Sequence, residues 1–171
     1  MKKLMVAVAA IACAVVANAA QVKWSVEDVA GVTGGDSTGD LALFFCADSL
    51  SYENAVSYLS QGKLSSLTGY LNSGITDEGY ADHGYAGDYT KGTDKNFYVV
   101  LLNVDDESDI TKATKYIVSE PLPKHVPDND ANFGAYLSVK GQTWADVAPE
   151  PTSGLLLLVG VAGLALRRRR A

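Results

Sequence analysis

The side chains able to do chemistry are few and scattered: Cys46, His83, His125, two acidic runs and a stretch rich in tyrosine. A cysteine beside a histidine makes a nucleophile and its base, but only where the thiol is exposed and its pKa is depressed. Cys46 follows Leu41-Ala42-Leu43-Phe44-Phe45, a run apolar enough for a strand buried on both faces, so an inert thiol is expected. Asp105, Asp106, Glu107 and Asp109 crowd carboxylates into one short segment, and Asp128-Asn129-Asp130 offers further oxygens. Calcium takes such ligands, but neither run has the spacing and glycine of an EF-hand loop. Asp and Asn also populate turns for backbone reasons, and solvated turns are expected here. Two histidines and Cys46, spread from residue 46 to residue 125, lack zinc-ligand spacing. No metal, cofactor or catalytic residue is assigned, and the expectation is a protein that is not an enzyme.

The tyrosine-rich stretch, Gly79 to Tyr89, contains the triplet Gly-Tyr-Ala twice, five residues apart. A tyrosine ring is a rigid apolar platform with a polar tip, so Tyr80, Tyr85 and Tyr89 form a candidate ligand surface. The plainer reading is a strand or loop whose rings edge the core.

These residues need elements to hold them. Val22 to Val26 alternates with period two, as a half-buried strand does, and Gly31 to Gly39 reads as loop. Leu41 to Ala47 is a second strand. Ser51 to Gln61 is a helix, with a serine cap, Glu53 in its first turn and Gly62 as its stop. Its Tyr52, Ala55, Val56 and Leu59 share one face. A further helical turn or two is expected between Leu64 and Leu71. Phe97 to Val104 is apolar enough for the centre of a sheet. Thr114 to Ser119 and Gly134 to Val139 are two more strands, separated by a crossing that holds Pro121, Pro123 and Pro127. The pattern predicts a mainly β domain, an antiparallel β-sandwich with one short helix, with a single-sheet α+β domain as the alternative. Trp24 and Trp144 are expected to pack together near the domain's ends.

The two ends of the chain read as addresses. Lys2 and Lys3, the apolar run Leu4 to Val16 and the small residues Ala17-Asn18-Ala19 have the three parts of a signal peptide, with cleavage leaving Ala20 first. Cys13 lacks the preceding leucine that opens a lipobox. At the other end, Pro149 and Pro151 make a stiff, non-helical segment around Glu150. Gly154 to Leu166 contains only Gly, Ala, Val and Leu, and Arg167, Arg168, Arg169 and Arg170 follow it. As a helix these 13 residues span about 20 Å, short for a bilayer core of roughly 30 Å, so the anchor is weak and the arginines belong on the cytoplasmic side.

Pro-Glu-Pro, a short apolar helix and a terminal arginine cluster, in that order, resemble the PEP-CTERM sorting signal of exported bacterial proteins. The resemblance covers residues 148 to 171. It implies processing by a membrane-embedded exosortase near Pro149, Glu150 and Pro151, after transient residence in the inner membrane, and delivery to the cell surface or extracellular matrix. It also implies an association with exopolysaccharide. The expected organisation is a signal peptide over 1–19, an exported β-rich domain over 20–147 and the sorting signal over 148–171, with signal peptidase and exosortase as processing partners.

Charge bounds the domain's own partners. The flanks hold Lys2, Lys3, the four arginines and Glu150, which leaves 8 lysines against 19 acids, a net charge of −11. Nucleic acid requires clustered positive charge and is excluded as a partner. The leading expectation is a noncatalytic surface or matrix protein. A glycan-binding or calcium-assisted binding module is the alternative, and a secreted hydrolase is a second alternative for which no motif assembles the groups.

Overall fold

The computed structural model describes residues 19–29, 39–77, 81–129 and 131–149. Nine strands among them form two sheets. β1 (Ala19–Glu27), β4 (Ala81–Thr90) and β8 (Phe133–Ser138) make a three-stranded sheet in the order β4-β1-β8. β2 (Leu41–Cys46), β3 (Asn72–Ile75), β5 (Asp94–Leu102), β6 (Lys115–Val118), β7 (Leu122–His125) and β9 (Ala145–Asp146) make the other, in the order β3-β2-β5-β6-β9, with β7 also paired to β5. The helix α1 spans Tyr52–Ser60, and single 3-10 segments cover Leu64–Ser66 and Glu107–Lys112. The architecture is mainly β and sandwich-like, with two sheets where the α+β alternative had one.

β2 and β5 are apolar throughout because both of their faces are covered. Phe44, Cys46, Phe97 and Val99 lie on the face turned to the three-stranded sheet, where Trp24 stacks on Phe44 at 4.9 Å and Tyr89 and Phe133 meet Phe97 at 5.4 and 6.0 Å. Phe45 and Tyr98 lie on the opposite face, stacked on each other at 5.1 Å and met edge-on by Tyr70 and by Tyr52 of α1. The expected centre-of-sheet strand is thus β5. α1 starts where its serine caps it: Ser51 accepts a hydrogen bond from the Asn54 amide, while Ala55 and Leu59 are buried.

Three expectations change. The sheets are not wholly antiparallel, because β1 and β8 run parallel, with Val22, Trp24 and Val26 in register with Phe133, Ala135 and Leu137. More than a hundred residues separate the two strands, so no hairpin constrains their pairing, and matching of the inward apolar positions sets its register. The proline-rich crossing contains β7, where Pro123 stands opposite Asn96. A proline is tolerated there because an edge strand bonds on one side only. Trp24 stacks on Phe44 and not on Trp144.

At the joint between β6 and β7, which share one flank of β5, the buried Ser119 replaces the missing strand pairing. Its amide donates to the Val99 carbonyl at 2.9 Å, and its hydroxyl accepts from the Val99 amide at 3.0 Å.

Phe44 touches both Trp24 and Phe97, and its side chain is fully buried. Phe44→Ala is expected to cost about 3–5 kcal/mol in urea unfolding. A loss below about 1 kcal/mol, the level of a surface change, would show that the sheets are not held through this stack.

Candidate functional site

β4 does not keep a strict alternation. Ala20 is opposite Tyr89 and Val22 opposite Ala86, so β4 has one extra residue there; the same occurs between Lys23 opposite Tyr85 and Ser25 opposite Asp82. Gly87 and Gly84, at φ +64° and +55°, occupy these two bulges, where a backbone in the left-handed region favours glycine. Each bulge shifts the parity of the side chains. Ala86 and Tyr89, three residues apart, therefore both face inward, while Tyr85 faces out. Ala81 and Ala86, the last residues of the two triplets, stand in register with Val26 and Val22.

The three candidate tyrosines accordingly separate. Tyr89 is core, 8% exposed and packed edge-on against Phe97 and Phe133, which removes it from any ligand surface. Tyr85 is 53% exposed. Tyr80 lies outside the described residues, as do Ala17, Glu150, Pro151 and Arg167 to Arg170. Tyr136, which the sequence reading did not single out, is 57% exposed on β8.

Tyr85, Lys23 and Gly134 form one cross-strand row on the outer face of the three-stranded sheet. The Tyr136 ring lies over Gly134, with Cε2, Cζ and Oη 2.6–2.8 Å from where a Cβ would stand. The glycine thus makes room for the ring on the sheet. Polar groups flank the row: the Gln21 side chain donates to Asp88 at 3.4 Å, and the Gln21 amide donates to the Asn132 side chain at 3.1 Å.

The other reactive groups are engaged in structure. Burial raises the pKa of Cys46, and the buried Tyr89 phenol, itself raised by burial, lies beside the thiol. His125 is paired not with Cys46 but with Asp94, at 2.7 Å, and that hydrogen bond raises its pKa. His83 has a described backbone only. In the first acidic run, Asp106 accepts from the Ser108 amide at 2.7 Å, Asp109 pairs with Lys112 at 2.7 Å, and Glu107 accepts from Ser73 and Tyr70. These hydrogen bonds, Ser73's foremost, hold the Glu107 carboxyl below its usual range. No three His, Cys, Asp or Glu residues among the described ones converge on a metal position.

A shallow groove of about 570 Å³ runs between the two 3-10 segments, lined by Leu64, Leu67, Tyr70 and Ile110. A smaller one of about 290 Å³ adjoins it beside Val147, Ala148 and Pro149. Neither gathers more than one ionisable side chain at bonding distance; Lys112, beside the smaller, is tied to Asp109.

Comparison of the chain with protein-family models, curated proteins and solved structures gives no match. No helix among the described residues is long and apolar enough to cross a membrane, and the run from Gly154 to Leu166 lies outside them.

Two measurements check this geometry. In a Cys13→Ser background, Cys46 is expected to resist a thiol reagent in the folded chain and to react fully in urea; rapid labelling of the folded protein would show an accessible thiolate. His125 is expected to titrate above its ordinary 6.5, and Asp94→Asn to bring it back down, followed by NMR of the imidazole. Because the folded pKa is the higher one, the pair's stabilisation is complete below the unfolded value and disappears as pH rises through the folded value. An unchanged titration in Asp94→Asn would assign the shift to another group.

Proposed function

We propose that this chain is a noncatalytic exported protein: its leader is removed after Ala19, and an exosortase processes it through Pro149, Glu150 and Pro151. The 20–147 domain is then placed at the cell surface or in the extracellular matrix, among polysaccharide. On this reading the sandwich is flanked by a signal peptide and a C-terminal transmembrane helix, which holds it in the inner membrane until cleavage.

The observation that carries the reading is the ordered tail of Pro-Glu-Pro, apolar run and four arginines. The fold is compatible with it. β9 pairs with β6 through Asp146, Val147 donates to the Thr114 carbonyl at 2.8 Å, and pairing ends there. Pro149 is exposed two residues further on. The burial of Cys46 and the pairing of His125, Asp106, Glu107 and Asp109 support a noncatalytic role over the secreted hydrolase.

The test is the intact mass of the protein recovered from its native envelope and from the medium, with and without Pro149-Glu150-Pro151 replaced by alanines. The expected mass lacks the leader and the residues beyond the Pro-Glu-Pro segment, and the replacement abolishes that second loss. A full-length C-terminus kept in the inner membrane would make the tail a plain anchor.

A further inference from the structure

We propose that the outer face of the three-stranded sheet binds a neutral, β-linked polysaccharide, whose sugar rings stack on Tyr85 and Tyr136 while their hydroxyls bond the polar groups beside that row. The proposal rests on the reading that the domain is exported to where such polymers lie.

Among the described residues, the large apolar side chains left exposed are Ile75, Tyr85 and Tyr136, and the two rings share one sheet face. Both are separated from the core by parity: the bulges turn Tyr85 outward, and Tyr136 alternates with the inward Ala135 and Leu137. Tyr136 further leans over Gly134, where the end of its ring takes the space a side chain would fill and so lies close to the sheet. A hexopyranose with equatorial hydroxyls points its C–H bonds at both faces of the ring, which leaves an apolar face to stack and a polar rim to hydrogen-bond. The row meets both demands, with Tyr85 at one side, Lys23 in the middle and the Tyr136 ring at the other. Gln21, Asp88 and Asn132 supply donors and acceptors alongside.

Size and charge narrow the occupant. Tyr85 and Gly134 are two strand spacings apart, about 10 Å, which suits alternate units of an extended β-linked sugar chain rather than one monosaccharide. The excess of 19 acids over 8 lysines repels uronate-rich and sulfated polymers, leaving neutral ones. A second copy docking on the same edge sheet is the competing occupant, and the experiment separates the two.

The full chain, purified in a zwitterionic detergent without a sugar headgroup and carrying ring-labelled tyrosine, is titrated with cellohexaose and with hydroxyethylcellulose. Saturable shifts are expected for Tyr85 and Tyr136, with the buried Tyr89 and Tyr98 unmoved. Tyr85→Ala and Tyr136→Ala should each weaken binding by about tenfold, the scale of one aromatic stack. Both side chains are more than half exposed, so the thermal midpoint should hold. Gly134→Ala, which keeps both rings but lifts that of Tyr136, should weaken binding several-fold. Absence of any shift with either glucan, binding by the two tyrosine variants as tight as that of the unsubstituted chain, or an equal response to alginate overturns the proposal. So does a dimer that Tyr136→Ala dissociates with sugar binding unaltered. Detergent-solubilised full chain needs no tail processing, so this test and the mass measurement fail independently.

Discussion

Everything else in the domain depends on the aromatic stack that joins the sheets. Trp24 lies flat on Phe44, Phe44 on Phe97, and Tyr89 and Phe133 close against Phe97 from the other sheet. Cys46 is a free thiol, so burial and hydrogen bonds hold the domain with no disulfide. Concentrating large rings at the centre provides the most apolar area per residue ordered. The stack also fixes which strand faces meet, and so which ones are left to solvent. β2 and β5 serve two layers at once, with the rings on one side and α1 with Tyr70 on the other, and every residue from Phe97 to Leu102 is buried.

That double duty explains what was legible in the sequence. A strand covered on both faces must be a continuous apolar run, and such runs mark Leu41–Cys46 and Phe97–Leu102 plainly. The helix was legible for an equally local reason: Ser51 caps it, Gly62 lies just past its end, and the apolar side chains repeat at helical spacing. Other features have no local signal. The pairing of β1 with β8 joins strands more than a hundred residues apart, with no local turn between them to read from the sequence. The parity of β4 is decided by two inserted residues, and counting by twos places Tyr85 with Tyr89 when the Gly87 bulge puts them on opposite sides. Half of the candidate site was thus visible in the tyrosine-rich stretch, while Tyr136 emerged only once β8 had a neighbour. The glycines of that stretch were the usable clue, because isolated glycine within a strand pattern marks a bulge.

The fold also keeps two tasks apart. The segment leading to Pro149 is paired at β6, on the six-stranded sheet. The Tyr85–Lys23–Gly134 row belongs to the other sheet, on the face directed away from the core. On the proposed reading, cleavage or attachment at the tail leaves that face open to a ligand. β7, with Pro123 and Lys124, blunts part of the remaining edge.

Charge and stacking then act together. In the first acidic run Asp106 caps a 3-10 segment, Asp109 pairs with Lys112 and Glu107 accepts from Tyr70 and Ser73, while the run's charge adds to a negative field over the surface. Such a field resists anionic partners and self-association, and salt screens it beyond about 10 Å. Stacking of a neutral sugar on tyrosine is largely insensitive to the same salt, since it depends on apolar contact. One face of this size yields a weak contact with one oligosaccharide, but a polymer presents the same unit many times over. Many such proteins, each held loosely, would be retained together in a matrix while each exchanged freely, because the effective concentration of the next binding unit along the chain is high. An open sheet face suits that task better than a deep pocket, which would trap a single chain end.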